Sequence, residues 1–459
     1  MQTRRDHVQA YQFAMGRLAS ALVSGDPGRG DSPTRRSALG SVFGAGLVVL
    51  LCAGFGVYGV ISPVARDDWR KEGAVILEED TGTRYVYAGG ELRPIRNYAS
   101  ALLIAGERTT PRTVSATSLA GIAHSTPVGI EGAPDTVPEA SALAVGAWAR
   151  CLPAAGATDK ATADKGPTHK GTSGKGTTDK ATSGKAAAAA GQTLVFGGRA
   201  ARLAPLPGDR QVLLAGPKGA RYVLWRGVKY PLPGDATLVA LGLDDQKALP
   251  ATADWLATLP TGVTLAAPTP AGAGKAAGEV AGHGAVVGEV FRTRTGTTEH
   301  YYLMRSDGLT LVNATEYALL AARPGAPAPR QVGQTDIAAA PVSAARPSTG
   351  RIPDLSAVRP IDGDTVCVTF TGGRVRVTVG APGRGGTVLP PGGGVLAVPE
   401  GGRTQYLITE QGLKYRIADA AAARALGFET TKRRLTLPAG VLALVPDGPV
   451  LSRTAAAGG

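Results

Sequence analysis

The sequence predicts an α+β protein. One N-terminal transmembrane helix leads into an extracytoplasmic domain, in which four β-hairpin/helix repeats surround a central β-sheet core with pseudo-two-fold symmetry. Three observations predict this. Residues 37–65 carry no charged side chain. A Tyr-led hairpin-and-helix pattern occurs four times after them. β-rich segments fill the intervals between the copies.

Composition sets the bounds. A chain of 459 residues has room for two or three ordinary domains, and 43% hydrophobic residues suffice for buried cores. Aromatics are only 5%, against 64 Gly and 33 Pro, which favours turns and short strands over long helices. The formal net charge is +13. Much of it sits in two stretches: residues 1–36 hold six Arg against three Asp, and 154–191 hold six Lys against three Asp. The remainder is spread thinly, without the basic-and-aromatic stripe on which bases stack, so nucleic acid is not an expected partner. Three Cys and five His exclude a Cys-rich zinc module and a disulfide-dense miniprotein.

From the N-terminus, residues 6–24 read as an amphipathic helix, with Val8, Tyr11, Met15, Leu18 and Leu22 on one stripe. Gly25, Asp26 and Pro27 end it. A lone helix with one apolar stripe must bury it elsewhere, either on the membrane surface or against a partner's cytoplasmic part. The run Leu39 to Ile61 is long enough for one crossing of a hydrocarbon core about 30 Å thick. Arg35 and Arg36 stand before it, so the positive-inside rule places 1–36 in the cytoplasm and 66–459 outside. The long leader and Pro63 near the end of the run favour an uncleaved anchor over a signal peptide. Cys52 lies within the span and reads as packing.

The repeats begin at Tyr85, Tyr222, Tyr302 and Tyr406, and their turns fall at Gly90, Gly227, Gly308 and Gly412. Each copy reads as strand, Gly-containing turn, strand, then Ala/Leu helix. Six segments between them read as core strands: 193–195, 212–214, 262–265, 366–371, 375–379 and 441–445. A Leu-Pro-x-Gly-Val element at 259–263 and again at 437–441 suggests the internal two-fold. Residues 154–191, with Lys every five positions and no large apolar residue, read as a disordered spacer. Stretches 266–284 and 323–348 read as milder Ala/Gly/Pro linkers.

The expected division is a cytoplasmic segment 1–36, the span 37–65, repeat 1 at 66–110, a core segment 111–153 and the spacer 154–191. A core segment 192–211, repeat 2 at 212–245, a core segment and linker 246–285 and repeat 3 at 286–322 follow. A linker and core segment 323–394, repeat 4 at 395–430, a core segment 431–451 and a tail 452–459 complete the chain.

Cys151 and Cys367 are the only cysteines beyond the span. Outside the cytoplasm an even pair favours a disulfide, with two buried free thiols as the alternative. No catalytic, cofactor-binding or metal-binding residue stands out. Every Gly-Lys pair fails the Walker A pattern: Gly174-Lys175 is followed by Gly, and Gly184-Lys185 and Gly274-Lys275 by Ala. There is no G-x-S-x-G and no H-E-x-x-H, and the His residues are scattered.

Residues 4–13 (RRDHVQAYQF), 17–27 (RLASALVSGDP) and 31–36 (DSPTRR), running into one span, resemble the EccB family. EccB is a membrane component of the actinobacterial type VII (ESX) secretion system. The resemblance extends over the repeats, the central β domain and the pair Cys151/Cys367, and leaves out the spacer. It implies a structural subunit of the inner-membrane core complex, built with EccC, EccD, EccE and further EccB copies. The N-terminal helix would contact neighbouring subunits, and the outer domains would gather at the pore exit near the mycosin protease. The repeats are also similar to cell-wall-binding modules of phage lysins, which makes a membrane-anchored peptidoglycan-binding protein the second reading. Some family members carry an ATPase label, the third reading, for which this sequence has no P-loop.

Overall fold

The computed structural model describes residues 4–24, 34–61, 67–108, 110–153, 191–344, 351–361, 363, 365–380 and 385–458. The spacer expected at 154–191 lies, except for Gly191, outside the described residues. The chain forms two compact units, Met1–Lys71 and Glu72–Gly459.

The first unit is helical, as the apolar periodicity and the uncharged run require. Helix Arg4–Ser24 carries the expected stripe. Helix Thr34–Ile61 has 28 residues, about 42 Å at 1.5 Å per residue, and includes Arg35 and Arg36 in its first turn. Its stretch Gly40–Val57 has a mean hydropathy of 2.1 and is not buried by the protein, as befits a helix that meets lipid.

In the second unit the four hairpins and helices form where the Tyr and Gly pattern places them. They are Arg84–Ala88, Glu91–Pro94 and Tyr98–Ala105 in repeat 1, and Arg221–Trp225, Val228–Leu232 and Asp235–Ala240 in repeat 2. Repeat 3 has Thr298–Arg305, Gly308–Val312 and Ala314–Ala321; repeat 4 has Tyr406–Thr409, Lys414–Arg416 and Ala420–Ala425. Asn97, Asn313 and Asp419 cap three of the helices by accepting from Ser100, Glu316 and Ala422 amides.

Each repeat is larger than the expected unit. A strand precedes the hairpin and pairs with it antiparallel: Val75–Glu78, Arg210–Ala215, Val290–Thr295 and Gly394–Pro399. After the helix a short strand returns parallel to that first strand: Arg112–Val114, Leu249–Pro250, Arg330–Gln331 and Leu435–Leu437. A second short helix follows, and the chain then runs along the outer hairpin strand through the bridges Leu92–His124, Lys229–Thr261, Leu309–Val342 and Lys414–Asp447. The bridging chain covers the hairpin edge that would otherwise template another strand.

This corrects several expectations. Segment 212–214 belongs to the repeat 2 sheet rather than the central one. Segment 262–265 is the bridging chain of repeat 2, and 441–445 includes part of helix Ala439–Leu442. Stretch 266–284 contains a strand, Ala276–Val280, and enters a second, His283–Val286, whose Val280 and Ala285 pack on Phe291 and Met304 of repeat 3. Stretch 323–348 supplies the parallel strand and second helix of repeat 3.

The two Leu-Pro-x-Gly-Val copies occupy different places: 259–263 follows a second helix, whereas 437–441 enters one. The true counterpart of Leu259–Gly262 is Val445–Gly448. Lys229 and Lys414 amides donate to Pro260 and Pro446 carbonyls at 3.0 and 2.9 Å, and Gly262 and Gly448 amides donate back at 2.9 and 2.8 Å. Their Nζ atoms donate to Leu259 and Val445 carbonyls, each at 2.6 Å. A Cβ on Gly448 would lie 2.4 Å from the ring of Tyr415, which is fully buried. Gly448→Ala is therefore expected to destabilise the domain by about 1–3 kcal/mol through overpacking, read from denaturant unfolding. An unchanged midpoint would refute the fit.

Gly90, Gly227 and Gly412 sit in hairpin turns with left-handed backbone. Arg226 and Gly227, at φ 49° and 78°, make the two-residue turn whose twist matches the hairpin. Gly308 differs. It opens its strand at φ 133°, and a Cβ there would lie 2.3 Å from the Pro341 carbonyl oxygen, so the bridging chain as well as the backbone demands glycine.

The central sheet orders Gly386–Val388, Thr193–Phe196, Trp148–Cys151, Thr365–Thr371, Arg374–Gly380 and Ala204–Pro205. Four apolar cores join it to the repeats in series. Leu102 and Leu103 of repeat 1 pack with Leu407 and Leu426 of repeat 4. Ile408 and Leu437 of repeat 4 pack with Trp148 and Phe196 of the sheet. Val366 and Val368 on the sheet pack with Leu224 and Trp255 of repeat 2. Leu238 of repeat 2 packs with Leu319 of repeat 3. The spatial order is thus repeat 1, repeat 4, sheet, repeat 2, repeat 3. It reads alike from either end, because 2 and 4 share the Lys229 and Lys414 pairings while 1 and 3 share an Asn cap that also donates to a downstream carbonyl, Ile130 or Ile352, at 2.7 Å.

Candidate functional site: an exposed stripe and a locked repeat domain

The described residues gather no group of three or more His, Cys, Asp or Glu side chains fit to hold a metal. What the sequence-predicted residues build is mechanical. Val8, Tyr11, Met15, Leu18 and Leu22 are all exposed, and so are Phe13 and Val23 beside them. Leu18 is 59% and Leu22 84% exposed, so nothing among the described residues covers the stripe. Tyr85, Tyr222, Tyr302 and Tyr406 are dispersed among four sheets. Tyr85 is buried with its ring edge-on to His124, and burial together with Glu78 pushes its phenol up. Tyr222, Tyr302 and Tyr406 are half-buried against separate cores. All four spend their rings on packing.

Cys151 and Cys367 come together. They are register partners on neighbouring central strands, fully buried, and joined by a disulfide. Next to Cys151, the buried Arg150 reaches into repeat 2. Its guanidinium donates to Gln192 and, at 3.1 Å, to the Thr252 hydroxyl, and pairs with Asp254 at 2.7 Å. The Trp255 indole donates to the Arg150 carbonyl at 3.1 Å. Burial pushes the Asp254 carboxyl up, but the Arg150 and Thr252 hydrogen bonds outweigh it and hold the carboxyl below its usual range. A depressed folded value means stabilisation that is complete above the ordinary Asp range, near 4, and is lost as pH falls through the folded value. Asp254→Asn is expected to flatten that acid limb of the stability profile and leave the neutral-pH slope alone. An unchanged limb would refute the assignment.

A second lock joins repeats 1 and 4 reciprocally. Arg108 follows the repeat 1 helix and donates to Leu426 at the end of the repeat 4 helix at 3.0 Å, to Val137 and Pro138 carbonyls, and to Glu139. Arg453 follows repeat 4 and donates to Leu103 near the end of the repeat 1 helix at 3.1 Å. Each arginine lies on the glycine ending its target helix: a Cβ would come within 2.7 Å of the Arg108 methylene stem at Gly427 and 3.0 Å of the Arg453 guanidinium at Gly106. Sequence reasoning missed Arg108, Arg150 and Arg453. The helix-ending glycines were visible, but the partner of each lies hundreds of residues away.

These features define a membrane protein with one candidate span, an uncovered amphipathic helix before it, and a large cross-linked repeat domain after it. The family described as "Type VII secretion system ESX-1, transport TM domain B" matches residues 1–382 and 371–458, and the chain belongs to that family, EccB. It is 26% identical over 490 residues to the ESX-1 secretion system ATPase EccB1 of Mycolicibacterium smegmatis, covering 99% of this chain and 94% of that protein. It is 25% identical over 495 residues to the ESX-3 secretion system ATPase EccB3 of the same species, covering 98% and 89%. The match to the ESX-5 secretion system ATPase EccB5 of Mycobacterium marinum, 33% over 152 residues, spans 33% of this chain and only 29% of that relative. The fold is similar to a chain in the periplasmic assembly from the ESX-5 inner membrane complex, with a TM-score of 0.52 and 23% identity over 86% of this chain and 97% of that one. A chain of the intact ESX-5 inner membrane complex gives a TM-score of 0.50 and 23% identity over 99% and 95%.

Proposed function

We propose that this chain is a structural subunit of the type VII secretion core complex in the cytoplasmic membrane and supports protein export. The observation that carries the reading is the family match, which runs through the amphipathic helix, the span and the whole repeat domain rather than through one of them. On this reading residues 1–36 lie in the cytoplasm, with Arg35 and Arg36 holding the orientation, and residues 66–459 lie outside. The stripe from Val8 to Leu22 docks on neighbouring subunits. EccC, EccD, EccE and further EccB copies are the proposed partners, with the mycosin protease beside the outer domain. The division into a cytoplasmic segment, one span and an outer domain is part of the proposal. It assigns this chain no hydrolytic step, because none of its Gly-Lys pairs stands in a Walker A sequence.

The test is the composition of what tagged full-length protein retains from gently solubilised membranes. The expected result is a large assembly containing EccC, EccD and EccE. Recovery of the protein alone, at a size set by its own mass and detergent, would overturn the reading.

A further inference from the structure

The repeat 2 helix ends as the repeat 4 helix does. Ala240, Leu241, Gly242 and Leu243 match Ala425, Leu426, Gly427 and Phe428. Both ends close with the same bond across the glycine: Leu243 amide to Leu238 carbonyl and Phe428 amide to Ala423 carbonyl, each 2.8 Å. Both glycines are left-handed, at φ 62° and 80°. What lies on them differs. Against Gly427 lies the methylene stem of Arg108, whose guanidinium donates to the neighbouring Leu426 carbonyl, and on Gly106, ending the repeat 1 helix, lies the guanidinium of Arg453. A Cβ on Gly242 would meet nothing within 4 Å. In place of an arginine there is a cleft of about 250 Å³ between the repeat 2 and repeat 3 helices, lined by Leu241 and Gly242 among others.

A second observation points the same way. Gln211 lines this cleft and the adjoining cavity beside Lys247, is only 4% exposed, and its Oε1 has no hydrogen-bond partner among the described residues. A buried amide oxygen left without a donor costs about 1–3 kcal/mol, so a donor is what the cleft lacks. Leu243 and Leu355 give an apolar wall for a methylene stem. The carbonyl end of a helix favours positive charge. A guanidinium offers five donors in a flat fork and matches several acceptors at once, as Arg108 does on Leu426 of repeat 4 and on Val137, Pro138 and Glu139.

We propose that the cleft between repeats 2 and 3 is a guanidinium seat, which takes an arginine side chain of a partner chain in the place that this chain's own Arg108 fills at repeat 4. Arg359 stands exposed at the rim. Among the described residues it is the one charged side chain lining the cleft, and the incoming cation enters past it.

The test is titration of the full-length protein in detergent with L-argininamide, with L-lysinamide as the control that carries charge without the fork. One saturable argininamide site is expected, at least tenfold tighter than lysinamide. Gln211→Leu should weaken it at least tenfold, and Ala318→Phe, which fills the cleft from the repeat 3 helix, should abolish it. Arg108→Ala should open a second seat and raise the stoichiometry from one to two. The proposal is overturned if the wild type shows no saturable binding, if lysinamide binds equally, or if neither cleft variant weakens argininamide. Binding that appears only after Arg359→Ala overturns it as well, because the seat would then belong to this chain's own side chain.

Discussion

Replacing Cys151 and Cys367 together by alanine is expected to lower the stability of the repeat domain by up to about 5 kcal/mol. The two cysteines are 216 residues apart, and closing so long a loop removes a large share of the unfolded chain's freedom. The loop contains repeats 2 and 3 entire, whereas repeat 1 precedes it and repeat 4 follows it. The disulfide thus closes the loop that carries one half of the spatial series, at the sheet where the two halves meet. Local cohesion is already present at that point, since the two strands pair over four register positions. The loss should therefore appear mainly as a lower unfolding midpoint rather than as a misfolded sheet. Both sulfurs are buried, so reductant should act on the native protein only as fast as it opens. Denaturant unfolding of the double variant, and of the wild type with and without reductant, measures this. A change below about 1 kcal/mol would show that the cross-strand pairing and the Arg150 network hold the centre without the covalent link.

The hairpins were legible because their signals are local. A lead Tyr, a glycine five or six residues on, and an Ala/Leu run suffice to place Arg221–Trp225, Val228–Leu232 and Asp235–Ala240. The parallel strands that complete each sheet were not, because two residues such as Leu249–Pro250 or Arg330–Gln331 have no periodicity to read. The internal two-fold was anticipated from the wrong residues. Leu259–Val263 and 437–441 share letters, while the structural match of Pro260 and Gly262 is Pro446 and Gly448, which only the Lys229 and Lys414 pairings reveal. Val441 illustrates the competing error. A β-branched residue in an apolar run reads as strand, yet Pro438 sits just before the helix and packing against Trp148 and Phe196 rewards the helical turn. The serial order of repeats and the arginines that lock it rest on contacts between distant segments, and no window of sequence contains them.

Leu18→Asp combined with Leu22→Asp is expected to release the protein from its assembly while the repeat domain remains folded. The two leucines lie four residues apart on the same face of helix Arg4–Ser24 and are exposed within the chain. Burying a leucine against a partner is worth roughly 1.5–3 kcal/mol, so losing two removes about 3–6 kcal/mol of docking free energy. At 1.4 kcal/mol per decade, that weakens association by roughly 10²- to 10⁴-fold before the cost of burying carboxylates is added. The repeat domain forms a separate compact unit from Glu72 onward, so its unfolding midpoint and its disulfide should be unaffected. The measurement is the size of the complex retained by the tagged double variant in mild detergent, beside its thermal unfolding. A complex of normal size and composition would mean that the stripe rests on the lipid surface, where a single span already holds the chain and two charges cost little. A small particle with an intact repeat domain would place the docking energy in the stripe.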